Sequence, residues 1–479
     1  MLQHHTAFFE KNNERKSEDH WGEPWGLAPL CSFLEDYYPF FHVRTRPSFV
    51  NRAQQYVSGL FQLETRRNME RIDSTANGSD YQSLQHFLTH SKWDDEAVCA
   101  KISQDTNRLL GGSPDSCLII DPSGIPKKGR HSVGVERQYC GNTGKIDNCQ
   151  VAVFAALAKG RDACLINKRL YLPKAWCSDP ERCDKAGIPS DKRDYKCRGQ
   201  LALELIDDAD RDDLDYSWIG ADAEFGKPWL LRELMRRDKK FLIDVPSNFY
   251  VHTTNPRLSY RHKVNKLKKI RLKKKSVKVE DLRLKHGRRK WRTIEIRDSS
   301  KGVMTAEFLH KKVWFSDQTS EPPRLVHLII RRTPKDGGKG YLYKYSLGNA
   351  PAQTSTQRLA YQQSQRFWVE QAIRDAKDGL GLDEYQIRKW NGWQHHVALT
   401  LLAGLYVLKT RLEHREDLPL LSIQDVRDIL AFLLPRKVQT FQDVIRLIDH
   451  RHDLRRQSYE NCRNRELEGV PPSGKVGKG

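Results

Sequence analysis

The sequence predicts an α/β protein: a mixed sheet flanked by helices, preceded by a helical domain and interrupted by a β-rich insertion. Three observations predict it. Residues 27–112 carry apolar side chains at helical spacing. Residues 113–250 run strand, strand, strand, helix, strand, helix, strand. Residues 251–345 return to short alternating segments, and long helical patterns resume at Ser355.

Each element has its own signal. Pro47-Ser48-Phe49-Val50 opens an amphipathic stretch through Tyr56, Leu60 and Leu63. Tyr81–His90 follows a Gly-Ser-Asp break, and Asp94–Leu110 is a third helix, with Arg66, Arg67 and Arg71 expected on a helical surface. Cys117-Leu118-Ile119-Ile120 is a continuous apolar run that ends in Asp121, before Pro122-Ser123-Gly124. It predicts a buried strand with a carboxylate at its C-terminal end. After a Gly-rich segment come strands over 150–158 and 163–172, a helix over 199–208, and a strand over 216–221 that runs into Asp222. A helix over 228–237 leads to the strand Phe241–Val245. Strands are then expected over 291–296, 303–308, 313–315 and 325–331. Helices follow over 355–378, 392–411, 425–434 and 440–450, and a Gly/Pro/Lys tail closes the chain.

Charge narrows the partners. Eighty-two Lys and Arg against 61 Asp and Glu leave +21, which favours a polyanion. Nucleic acid ranks first and an anionic membrane surface second, with a merely basic enzyme as the bland alternative. The run from Arg261 to Lys275 contains no acid; it reads either as a solvated segment or as a phosphate-contacting arm carrying Arg261, Lys263, Lys268, Lys269 and Arg271. The supply of 17 Phe, 17 Tyr and 11 Trp excludes global disorder. Val397–Leu408, the longest apolar run, is too short for a bilayer span, and Met1–Glu23 has no apolar signal core. No C-x-x-C occurs, so the cysteines read as buried thiols of a reducing compartment, with Cys177, Cys183 and Cys197 as the one candidate zinc set.

The chemistry rests on carboxylates. Asp121 and Asp222 each end a strand, and Asp244 has the same look. A strand-end carboxylate in an apolar setting needs a metal or a cation. Carboxylates without His or Cys suit hard ions such as Mg²⁺. On the helix from Ser355, Arg366, Glu370, Ile373 and Lys377 fall within about 60° of one another. Phe367, Trp368 and Val369 indicate that this helix is buried, so the stripe reads as a metal ligand between two phosphate clamps, or as an i, i+4 ion pair on a solvated face.

These residues resemble the bacterial DDE transposases of the insertion sequence 701 family, relatives of the class with a Tyr-x2-Arg-x3-Glu-x6-Lys signature. The segment from Ile119 to Gly129 resembles the first catalytic block, and His131–Gly141 with Gly144-Lys145 and Asn148-Cys149-Gln150 is its most distinctive stretch. Leu170-Tyr171-Leu172-Pro173 and Trp176 follow as in the family. Ala221–Gly226 resembles the second block, and Arg366, Glu370 and Lys377 match the signature, extended by Ala376–Asp383. Two positions depart from the pattern. Gln363 stands where the signature has Tyr, and Pro122 where many relatives have a second Asp.

The resemblance implies a ribonuclease-H-like mixed-sheet catalytic core with a β-rich insertion and an N-terminal helical domain. Asp121, Asp222 and Glu370 then become catalytic metal ligands for two Mg²⁺ ions, with Mn²⁺ able to substitute, and Asp244 a structural residue. Arg366, Lys377, Gln363, Lys127, Lys128 and the basic run become DNA contacts, and Trp314 or Trp291 could hold a flipped base. The domains fall at 1–20 (disordered tail), 21–112 (helical, DNA-binding), 113–250 (core), 251–345 (insertion), 346–435 (core, carrying the Glu) and 436–479 (helix and tail). The implied activity is cut-and-paste DNA transposition by hydrolysis and strand transfer. The implied partners are double-stranded DNA (terminal inverted repeats and target) and a second copy in a synaptic dimer. The implied location is the bacterial cytoplasm, on the nucleoid when DNA is bound. The alternatives are a domesticated DNA-binding protein and a structure-specific nuclease without strand transfer.

Overall fold

Helices come first, each opened by a capping side chain where the sequence offers one. They are α1 (Leu27–Glu35), α2 (Tyr38–Phe41), α3 (Ser48–Gln62), α4 (Met69–Thr75), α5 (Tyr81–Thr89) and α6 (Asp95–Leu110). The side chains of Asn68, Asp80 and Asp94 accept the backbone N–H three residues on, which fixes the starts of α4, α5 and α6. The computed structural model describes residues 25–41, 48–64, 66–256, 258–262, 268–272, 275–284, 290–299, 302–317, 321–335, 339–438 and 440–467. The two expected tails and Lys263 lie outside the described residues.

The core follows as β1 (Cys117–Pro126), β2 (Glu136–Cys140), β3 (Lys145–Lys159), β4 (Asp162–Leu170), α7 (Lys174–Cys177), α8 (Pro180–Ala186), α9 (Arg198–Arg211), β5 (Trp218–Ala221), α10 (Pro228–Arg236) and β6 (Phe241–Val245). Strand β3 is antiparallel to both β1 and β4, whereas β5 runs parallel to β1 and β6 parallel to β5. The order β4-β3-β1-β5-β6 with that single antiparallel strand is the ribonuclease-H-like arrangement. Part of the Gly-rich segment is strand β2, which pairs with the start of β3.

One expectation about the first aspartate changes. Asp121 is not at the end of β1 but in its middle, because β1 continues through Pro122 to Pro126 against β3. Strand β5 has stopped at Ala221, opposite Ile120, so beyond that point β1 has a free edge that tolerates a proline.

The region 251–345 holds β7 (Tyr250–Val251), β8 (Leu258–His262), β9 (Lys268–Leu272), β10 (Val277–Lys278), α11 (Val279–Leu284), β11 (Arg292–Ser299), β12 (Gly302–Phe315), β13 (Arg324–Pro334) and β14 (Tyr341–Gly348). Instead of closing a separate sheet, β14 pairs with β6, Ser346 opposite Asp244. The order β11-β12-β13-β14-β6 thus extends the core into one ten-stranded sheet. Within the basic run, the described strands β8 and β9 pair antiparallel, Arg261 opposite Lys269.

Helix α12 (Thr356–Leu380) crosses this sheet and touches β4, β3, β1, β5, β6, β13, β12 and β11. Ser355 caps it, and Gly381 ends it at φ +72°, where a Cβ would lie 2.8 Å from Arg67. Arg67 is fully buried there and donates to Leu60 O at 3.0 Å and to Glu384 at 2.9 Å, so it is not on the expected surface. Helices α13 (Trp390–Glu413), α14 (Ile423–Leu433) and α15 (Phe441–Leu467) follow. Val397–Leu408 is buried because α3, α5, α6, α14 and β4 pack around α13, which is why that run is apolar on nearly every side. No helix among the described residues is long and apolar enough to cross a membrane.

Candidate functional site

Strand register brings the acids together. Ile120 is level with Ala221, and Ala221 with Ile243, across parallel neighbours β1, β5 and β6. The next residue on each is an aspartate, so Asp121, Asp222 and Asp244 stand in a row. Asp222, just past β5, is held by the N–H of Glu224 at 2.8 Å. Gly226 lets this turn close on β6, because a Cβ there would meet Asp244 O at 2.3 Å.

Helix α12 lowers Glu370 and Arg366 over the row. Arg366 donates to Asp244 at 2.8 Å and to Glu370, and its Nε lies 3.9 Å from Asp121. Burial works against its charge, but Asp244, Asp121, Glu370 and Asp222 outweigh it and raise its pKa. The acids show the opposite strain. Burial, then the Asp222 and Glu370 charges, push Asp121 up to about 8 against the pull of Arg366. Asp222 is also raised, by burial and by Glu224 and Asp244. The row therefore carries more negative charge than one guanidinium neutralises.

Such a donor set, hard carboxylate oxygens in negative excess, fits a divalent cation of the Mg²⁺ kind in chemistry. Among the described residues, however, no three His, Cys, Asp or Glu side chains are gathered closely enough to hold one ion. The Arg366 guanidinium stands among these acids: it bonds Glu370 and Asp244 and sits beside Asp121.

The other expected contacts divide. Lys377 donates to Gly124 O at 3.0 Å and lines a cavity of about 370 Å³ with Asp121, Ser123, Gly141 and Glu370. Burial lowers its pKa. Lys127 lies 3.5 Å over the Tyr385 ring and donates to Tyr385 O, and burial pulls it down to about 8; it is engaged inside the protein, whereas Lys128 is exposed. Gln363 is buried and faces the sheet, not the cavity: its amide donates to Ser346 Oγ at 2.7 Å, and Ser346 donates to Asp244. Asp244, set aside as structural at the level of sequence, thereby anchors Arg366. The Cys177 and Cys183 thiols donate to the carbonyls of Leu172 and Trp176.

Residues 36–303, more than half of the chain, match the family described as DDE superfamily endonuclease. The chain belongs to the DDE superfamily endonucleases. The match includes Asp121 and Asp222. A similar protein is the probable transposase for insertion sequence element IS701 of Microchaete diplosiphon, 29% identical over 237 residues. That alignment covers 48% of this chain and 58% of the relative, so the chain spans little more than half the relative's length. A piggyBac transposase synaptic complex with hairpin DNA is a distant structural neighbour, at 12% identity and TM-score 0.30, with 88% of this chain and 84% of that chain covered.

Three further cations near the site were missed from the sequence. Arg331 on β13 and Lys344 on β14 face each other directly, and Arg297 on β11 stacks on Phe367 of α12 at 3.3 Å. The signal was weak: basic residues in alternating segments read as solvated strand faces until the register is known.

Proposed function

We propose that this DDE superfamily endonuclease is a DNA transposase that nicks the ends of its own insertion sequence and joins them to target DNA. The observation that carries the reading is the aspartate row at the β1–β5–β6 edge with Glu370 set over it from α12. Asp121, Asp222 and Glu370 would hold Mg²⁺, two ions by the resemblance, which polarises the phosphate and lowers the pKa of an attacking water. This chain's own residues do the rest. The carboxylate row fixes where the scissile phosphate can lie. Once Glu370 turns away, Arg366 is free to pair with a phosphate oxygen in its place, a bidentate contact suited to a guanidinium. Lys377, at the Gly124 side of the cavity, adds a second cation. Two copies would pair two inverted repeats, and the exposed Lys128 and the basic run 261–275 would grip the flanking duplex.

The test uses end-labelled duplex carrying the element's own termini, with a supercoiled plasmid as target. Mg²⁺-dependent nicks at the ends, followed by joining to the plasmid, are expected. Asp121→Ala, Asp222→Ala and Glu370→Ala should each abolish nicking in folded protein. Nicks without joining would reduce the reading to a nuclease, and nicking by any of the three variants would remove that residue from the site.

A further inference from the structure

The sheet extension places like charges opposite one another beside the acids. Arg331 and Lys344 are direct cross-strand partners in the β13–β14 ladder. Like charges in that position repel and destabilise a sheet unless something negative lies between or over them. Side chains two residues apart on a strand share a face, so Lys344 is on the face of Ser346, whose hydroxyl meets Asp244 and Gln363. That face lies under α12. Arg297, stacked on Phe367, extends the same wall on β11.

Among the described residues no carboxylate pairs directly with this wall. Among the described residues the side chains of Arg331, Lys344 and Arg297 make no ion pair within 4 Å and no hydrogen bond to a protein group. The contrast with the next residue is informative. Arg332 points to the other face and is gripped by both oxygens of Glu307, at 2.8 and 2.7 Å. On this ladder, then, Arg332 is neutralised by a carboxylate of the neighbouring strand, and Arg331 one residue earlier is not. Burial lowers the pKa values of Arg331 and Lys344; Asp244 and, less, Glu370 oppose it, and Arg366 and the neighbouring wall cations add to it. Lys344 still reaches solvent and Arg331 is half-buried, so a ligand can approach them.

We propose that Arg331 and Lys344, flanked by Arg297, form a phosphate-binding wall that holds a backbone phosphodiester of the DNA strand next to the one lying over Asp121 and Asp222. The inference rests on the DNA-cleaving reading above and assigns the sheet extension a part in it: it carries anion-binding groups to the reacting strand. The oppositely charged partner that the β13–β14 pair lacks within the protein is then supplied by the nucleic acid. Because a phosphate carries no sequence information, this contact is independent of sequence.

The experiment measures binding of a duplex of arbitrary sequence by fluorescence anisotropy in EDTA, as a function of KCl. The proteins are full-length wild type, Arg331→Gln, Lys344→Gln, the double variant, and Lys240→Gln at the opposite end of β6 as control. The double variant should lower the log–log salt slope by about 0.9, the loss of one phosphate contact, and each single variant by part of that, while Lys240→Gln leaves it unchanged. Lys344→Arg should keep the slope. Thermal unfolding without DNA separates a merely structural role. If the two cations serve as counter-ions to the acids, their loss lowers Tm. If they form an anion site, removing mutual repulsion leaves Tm unchanged or raises it. An unchanged slope in the double variant, or a lowered Tm with an unchanged slope, overturns the proposal while a wild type that nicks DNA keeps the functional reading. A wild type that binds no duplex overturns both.

Discussion

Replacing Arg366 by Ala removes the cation that three carboxylates share. The side chain is 18% exposed and pairs with Asp244 and Glu370, with Asp121 at 3.9 Å. Breaking a buried pair by deleting one partner costs about 3–5 kcal/mol, because the charges left behind are neither solvated nor compensated. A proton can replace the guanidinium in part. Asp121 already titrates at about 8, and loss of Arg366 raises it further. A raised acid pKa means that stability is held at low pH and lost as pH climbs through the folded value. The deficit in Arg366→Ala should therefore be small well below pH 8 and approach its full size above it. Mg²⁺ should restore most of it above pH 8, since a dication binds the vacated carboxylates, and should stabilise the variant more than the wild type. The assay is urea unfolding followed by circular dichroism, on both sides of that pH, with Mg²⁺ or EDTA. A deficit that ignores both pH and Mg²⁺ would refute the idea that Arg366 and a metal exchange places.

Three further outcomes are expected. Asp244→Asn should keep Mg²⁺-dependent nicking but lose roughly 1–3 kcal/mol of stability in urea, because Ser346 and Arg366 lose their shared charged acceptor. Neutralising four Lys or Arg in the basic run 261–275 should lower the salt slope of DNA binding by about 0.9 for each phosphate no longer gripped; an unchanged slope marks the run as solvated only. His396, fully buried beside Tyr56, is pulled from 6.5 to about 3 by burial and by Lys127. Its neutral form is favoured by folding, so stability present above pH 6.5 should fall toward pH 3 by about 1.4 kcal/mol per unit. His396→Gln should flatten that slope of Tm against pH by one proton.

Local signals carried much of this site, and long-range register carried the rest. The apolar run before Asp121 and the strand before Asp222 were legible because a buried strand declares itself by composition. That Asp121 lies inside β1 was not, since Pro122-Ser123-Gly124 has turn chemistry and only the early end of β5 makes it tolerable. Helical spacing correctly placed Arg366, Glu370, Ile373 and Lys377 on one stripe, but it cannot say what the stripe faces. Gln363 is turned to Ser346, a residue on β14, and the Tyr341–Gly348 strand is outside the set that the sequence predicts. In the same way, the sequence predicts two strands where β12 is one, because Leu309–Lys312 breaks the alternation although the ladder to β13 runs through it. The charge wall of Arg331 and Lys344 depends on which residues lie opposite, a relation between strands that no single segment encodes.

The proposed divalent-metal site of Asp121, Asp222 and Glu370, opened when Arg366 withdraws, is tested most directly by anomalous diffraction from crystals of the DNA-bound protein soaked in Mn²⁺. Anomalous peaks bounded by Asp121 and Asp222 are expected, with the Glu370 carboxylate rotated off Arg366 to face them and the guanidinium on a phosphate oxygen. Protein that nicks DNA in Mn²⁺ yet shows Arg366 still bonded to Glu370 and Asp244, with no anomalous density at the aspartate row, would contradict it.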